Sequence, residues 1–220
     1  MSIKAYAFDL DGTLVDSIAD LARAANAARA DLGLQALTED IVERFVGDGA
    51  ASLVARTIAG DISAEFTGTA LQQQGLVAFN KHYLAGLSIA TRFYPEVQAT
   101  LATLHERGYP LAIVTNKPER FTLPLLRELG VREHFDLVIS GDTLAERKPS
   151  ALPLLHVAEK LGVNPGELLM VGDSINDVLA AQAAGCPVVV VSYGYGSDVE
   201  SFNADHIVQR FSELLEFVDA

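Results

Sequence analysis

The sequence predicts an α/β fold: a Rossmann-like parallel sheet with an all-helical domain inserted into it. Three observations carry that reading. Five short apolar runs rich in β-branched residues punctuate the chain, at 4–8, 111–115, 136–139, 168–171 and 187–191. Amphipathic stretches of helical length separate the later runs, and strands alternating with such helices build βα units around a parallel sheet. Between the first and second runs, however, lies a long Ala- and Leu-rich segment without a strand-like stretch.

The first run is too brief for a helix, and it delivers Asp9-Leu10-Asp11-Gly12-Thr13. In extended backbone, residues i and i+2 point the same way, about 7 Å apart at roughly 3.3 Å per residue. Asp9 and Asp11 therefore project together, with room between them for one phosphoryl group or one metal ion. The same residues would also make an ordinary acidic turn. Residues 16–89 follow, with helix-start signals at Ser17 (Asp20 three residues on) and at Thr38. Interruptions fall at Gly33, 47–49 and Gly60-Asp61, which divides the segment into about four helices. The expected domains are an α/β core of residues 1–15 and 90–220 and a helical cap of 16–89, hinged near 15–17 and 88–94. Within the core, Val97, Leu101 and Leu104 give 97–107 a helical face. Further helices are read at 120–129, 152–161 and 176–184, the last closed by Gly185.

The chain has 220 residues, half of them hydrophobic, and a mean hydropathy of +0.24, enough for a substantial core. The longest apolar runs are strand-sized, so neither a membrane span nor a signal peptide is expected. Net charge is −13 without a Lys/Arg run, which argues against nucleic acid as a partner. Cys186 is the sole cysteine; it reads as an inert packed thiol in a reducing, cytoplasmic setting. His82, His105, His134, His156 and His206 show no metal-ligand spacing, and residues 193–196 read as a glycine-rich loop.

In open parallel sheets, sites form beyond the carboxyl ends of the strands where strand order reverses. Asp9 and Asp11 follow the first strand, and Thr115, Asn116 and Lys117 the second. Gly172-Asp173-Ser174-Ile175-Asn176-Asp177 follows the fourth, and Arg147-Lys148-Pro149 precedes the helix leading into it. Carboxylates for Mg²⁺, a lysine for charge and a hydroxyl for the non-reacting oxygens together suit a phosphoryl group. Asp9 can attack phosphorus, and Asp11 can protonate the leaving oxygen and then deprotonate water. Taken singly, Thr115 could merely end a strand, Lys148 could be a surface lysine and Asp177 could be a helix cap to Ser174.

Asp9-Leu10-Asp11-Gly12-Thr13-Leu14, Val114-Thr115-Asn116, Lys148-Pro149 and Gly172-Asp173-Ser174 with Asp177 resemble the four signature motifs of the haloacid dehalogenase superfamily. The resemblance covers essentially the whole chain. It implies five core strands in the order 5-4-1-2-3, a helical cap, and Mg²⁺-dependent chemistry on a small phosphorylated metabolite. Asp9 would be the nucleophile, Asp11 the general acid/base, and Asp9, Asp173 and the Asp11 carbonyl the metal ligands. Thr115 and Asn116 would bind phosphate, Lys148 would stabilise charge, and Asp177 would support Lys148. Ser150-Ala151 stand where the family often has His-Pro, a change at the start of the following helix.

The bacterial phosphoglycolate phosphatases are a closer resemblance, through Phe45-Val46-Gly47-Asp48-Gly49-Ala50 and Val114-Thr115-Asn116-Lys117-Pro118. Tyr193-Gly194-Tyr195-Gly196 fits that group as well. The free N–H groups of the helix opening at Gly47 and Gly49 could hold a second anionic group, with Arg56 as a helper. Dehalogenases of the superfamily lack the second aspartate, so Asp11 argues against them, and phosphomutases tend to carry an apolar residue where Thr13 stands, so Thr13 leans toward hydrolysis. Another phosphomonoester, a phosphomutase activity and a non-catalytic binding module are the alternatives, and the sequence leaves the oligomeric state open.

Overall fold

The computed structural model describes residues 2–217. The chain forms two compact units, Met1–Asp16 with Phe93–Ala220, and Ser17–Arg92. The first holds a sheet of six parallel strands: β1 (Ala5–Phe8), β2 (Leu111–Val114), β3 (Leu137–Ile139), β4 (Leu168–Gly172), β5 (Val188–Val191) and β6 (His206–Val208). Their order is β3-β2-β1-β4-β5-β6. The first five keep the order expected from the sequence. The sixth corrects the five-strand count: it pairs parallel to β5, Val189 against His206. Its three residues form the sheet edge, where His206 and Ile207 are exposed, so it lacks the apolar run that marks a buried strand.

β1 occupies the middle of the sheet, paired to β2 (Tyr6 against Leu111) and β4 (Tyr6 against Leu169). Its four side chains are fully buried, and the period-2 alternation sorts them by size. Ala5 and Ala7 lie in one cluster with Ala112, Val114, Met170, Leu154 and Val178. Tyr6 and Phe8 fill the other face: Tyr6 meets Tyr109 edge-on at 5.5 Å, and Phe8 meets Phe135 at 6.4 Å and Phe211 at 5.8 Å between ring centres. Burial of two aromatics on one strand is worth several kcal/mol, and it fixes the register that carries Asp9 to the strand end.

The helical unit contains α1 (Ile18–Asp31), α2 (Glu39–Glu43), α3 (Gly49–Ala59) and α4 (Ala70–Leu84). Gly75 costs α4 intrinsic helicity but lets α3 approach, since a Cβ there would fall 2.3 Å from Ile58 Cδ1. Ser17 is the N-cap of α1, where the helix-start signal lies, and Asp20 sits in the first turn. Its Oδ2 accepts the N–H groups of Ala90 (2.9 Å) and Thr91 (2.8 Å) and the Thr91 hydroxyl (2.9 Å). Burial pushes the Asp20 carboxyl up, but these donors hold it below the usual range. Gly47 and Gly49 have φ of +123° and +81°, which glycine alone adopts freely. Arg56 is occupied with their turn: its guanidinium reaches Asp48 at 2.5 Å and the Phe45 carbonyl at 3.0 Å.

The remaining helices belong to the sheet unit: α5 (Val97–Glu106), α6 (Glu119–Glu128), α7 (Leu152–Leu161) and α8 (Ile175–Ala184). Cys186 is buried beside the sheet, and burial pushes its thiol up to about 11, as suits an inert packing residue.

Candidate active site

The reversal of strand order lies between β1 and β4, and the Asp9 N–H bonds the Val171 carbonyl at 2.9 Å, continuing that ladder. Asp9 leaves β1 and Asp173 leaves β4 side by side. Carboxylate oxygens of Asp9, Asp173 and Asp177 all lie within 4.8 Å of one another. Lys148 reaches into this cluster: Nζ donates to Asp177 Oδ1 (2.6 Å) and the Val114 carbonyl (2.6 Å) and lies 3.1 Å from Asp9 Oδ2. Its main chain is held as well, because Asn116 Nδ2 donates to the Lys148 carbonyl at 3.0 Å. The hydroxyl of Thr115, one residue past β2, bonds Asp9 and lowers its affinity for a proton.

Asp177 serves both readings open at the sequence level. One oxygen caps α8, accepting the Ser174 N–H at 3.0 Å and hydroxyl at 2.7 Å, while the other takes Lys148. Asp173 is fixed by the Thr13 hydroxyl (3.1 Å) and the Tyr195 N–H (2.8 Å). Ser150, at the departure from the family pattern, accepts the Leu152 N–H at 3.1 Å and so starts α7 in its own way. The helical-unit candidates Gly47 and Gly49 lie in the turn described above.

Two sets of residues have roles that the sequence left unassigned. Lys117 Nζ contacts both oxygens of Asp11, at 2.9 and 2.8 Å. The 193–196 segment is more than a loop, because its glycines crowd Asp173. A Cβ at Gly194 would fall 2.3 Å from Asp173 Cβ and 2.4 Å from the Gly12 carbonyl, and one at Gly12 would fall 2.2 Å from Asp173 Oδ2. The alternation of Gly194 and Gly196 around Tyr195 was the available signal for a close backbone approach.

The electrostatics follow from burial. It pushes the Asp9 carboxyl up to about 6, helped by the Asp177 charge and opposed by Lys148. Asp173 rises to about 8, first by burial and then by the Asp177 and Asp9 charges. Burial acts to lower Lys148, but Asp177 and Asp9 outweigh it and raise its pKa. Three carboxylates thus face one ammonium. An all-oxygen donor set with surplus negative charge fits a hard divalent cation.

The family model of the haloacid dehalogenase-like hydrolases matches residues 3–185. The chain belongs to this family. Among haloacid dehalogenase-like relatives, it is 50% identical over 216 residues to the phosphoglycolate phosphatase of Chromobacterium violaceum, covering 98% of this chain and 96% of that one. To the phosphoglycolate phosphatase of Neisseria gonorrhoeae it is 46% identical, covering 97% and 92%. Among solved structures, a predicted phosphoglycolate phosphatase from Haemophilus somnus superposes with a TM-score of 0.91 at 36% identity, covering 98% of both chains. CbbY from Rhodobacter sphaeroides, solved with phosphate, gives 0.82 at 27% identity, covering 99% and 100%.

The glycine cradle yields a prediction. Gly194→Ala is expected to displace Asp173 and raise the Mg²⁺ concentration for half-maximal phosphatase activity by about tenfold or more, the scale of losing support around a metal ligand. A titration superimposable on the unsubstituted protein would show that the crowding is relieved elsewhere.

Proposed function

We propose that the chain is a Mg²⁺-dependent phosphomonoester hydrolase whose preferred substrate is 2-phosphoglycolate. The observation that carries the reading is the gathering of Asp9, Asp173, Asp177 and Lys148 at the β1/β4 strand ends, with Asp11 two residues past Asp9. Asp9, Asp173 and the Asp11 carbonyl are assigned to the metal. When bound, Mg²⁺ supplies positive charge that neutralises the phosphate dianion and keeps the buried carboxylates ionised.

In the first half-reaction an Asp9 oxygen attacks phosphorus, the bond from phosphorus to the ester oxygen breaks, and Asp11 gives its proton to that oxygen. In the second, water attacks the phosphorus of the aspartyl-phosphate, Asp11 takes the water proton, and inorganic phosphate leaves Asp9 as a carboxylate. Lys148 offsets the charge on the transferring group, and Thr115 and Asn116 hold its non-reacting oxygens. The turn of Gly47 and Gly49 is assigned to the second anionic group of the substrate, a reading supported by the motif resemblance and the names of the relatives.

No helix among the described residues is long and apolar enough to cross a membrane, and the single buried cysteine is in keeping with a cytoplasmic setting. A panel of phosphorylated metabolites, assayed by phosphate release, tests the whole reading. The highest kcat/KM is expected for 2-phosphoglycolate, with activity lost in EDTA and restored by Mg²⁺. Another phosphomonoester at the head of the panel would remove the substrate assignment. Transfer of phosphoryl within a sugar phosphate, without net phosphate release, would point to a mutase instead.

A further inference from the structure

We propose that Lys117 is a positioning residue that aims the Asp11 carboxylate for proton transfer; the proposal rests on the reading of Asp11 as the general acid/base. The two lysines of the site hold different acids. Lys148 holds Asp9 and Asp177, whereas Lys117 holds Asp11. Contact of one ammonium with both carboxylate oxygens, at 2.9 and 2.8 Å, fixes the rotation of the carboxylate as well as its position.

The lysine is itself anchored. Its side chain is only 4% exposed, and its N–H donates to Thr115 Oγ1 at 3.3 Å. Its carbonyl accepts from the Gly141 N–H at 2.9 Å and the Thr122 hydroxyl at 3.1 Å. Gly141 is required there, since a Cβ would fall 2.2 Å from the Asn116 carbonyl. A four-carbon stem rising from so tightly held a backbone is a firmly placed arm, and it ends on the carboxylate that has to serve two half-reactions. Proton transfer is steeply sensitive to such placement.

The test uses leaving groups. An alkyl leaving oxygen needs the Asp11 proton as its bond breaks, whereas p-nitrophenolate leaves without it, and kcat/KM reports the steps through that bond cleavage. Lys117→Met is expected to lower kcat/KM for 2-phosphoglycolate by about ten- to a hundredfold and that for p-nitrophenyl phosphate by less than about threefold. Asp11→Asn should show the same selectivity with a larger loss, and Lys117→Met added to Asp11→Asn should cost nothing further. Equal loss on both substrates, or full additivity with Asp11→Asn, would place Lys117 on the phosphoryl group and overturn the proposal. Unchanged kinetics would also overturn it. If Asp11→Asn itself is unselective, the general-acid reading fails and the proposal goes with it; a selective Asp11→Asn beside an unselective Lys117→Met sinks the proposal alone. Thermal melts check folding, and Lys117→Gln, which keeps a donor on a shorter arm, replaces the Met variant if that one is not folded.

Discussion

Asp9→Asn is expected to cut turnover by on the order of 10⁴-fold or more, the scale seen when a nucleophile is removed, with the fold unchanged. An amide oxygen carries no full negative charge to bring to phosphorus, so the first half-reaction has no attacking group. The scaffold has little reason to respond. Lys148 loses its 3.1 Å contact but keeps Asp177 and the Val114 carbonyl, both at 2.6 Å, and the Asp9 N–H stays on the Val171 carbonyl. Phosphate release measures the loss, and circular dichroism with urea melts measures the fold. In the unsubstituted protein, acid quenching during turnover should leave phosphate on the peptide that bears Asp9. Activity within tenfold of the unsubstituted protein would remove Asp9 as the nucleophile.

The second large effect is one of stability. In EDTA, Asp173→Asn should raise the melting temperature at pH 8 even as it abolishes activity and the thermal shift on adding Mg²⁺. The sign follows from linkage. Asp173 keeps its proton in the folded metal-free protein up to about 8 and Asp9 up to about 6, whereas both ionise near 3.8 when unfolded. Across that interval the unfolded chain binds fewer protons than the folded one, so stability falls as pH rises from about 4 to about 8 and levels off above. For Asp173 the upper bound of the fall is about 6 kcal/mol. Asparagine removes the ionisation and flattens the curve. It gives back part of the gain because it offers one acceptor where the carboxylate offered two, to Thr13 and Tyr195. A metal-free melting temperature independent of pH between 5 and 8 in the unsubstituted protein would contradict the linkage.

What was legible in the sequence depended on whether its physical cause was local. β1, β4 and β5 are buried on both faces, so uninterrupted apolar runs mark them, and the acids at two strand ends could be read straight off the motifs. β6 escaped because an edge strand half open to water needs no such run. Asp20 marks the start of α1 as its spacing from Ser17 suggests, but its bonds to Ala90 and Thr91, at the far end of the helical segment, leave no local trace. The Lys117–Asp11 pair joins residues 106 apart, and no periodicity encodes such a contact. Gly194 and Tyr195 support Asp173 through backbone, which leaves only glycine placement as a trace.

The central position of β1 also governs how the protein is made. Of the six strands this one is made first, yet it cannot be flanked on both sides until Leu111 and then Leu168 have emerged. At 5–20 residues per second that wait is about ten to thirty seconds, during which Tyr6 and Phe8 lack a strand on at least one side. The contiguous Ser17–Arg92 unit can condense in the interval. Substitutions that weaken β4 should therefore show first as aggregation of nascent chains, before any defect appears in the finished enzyme.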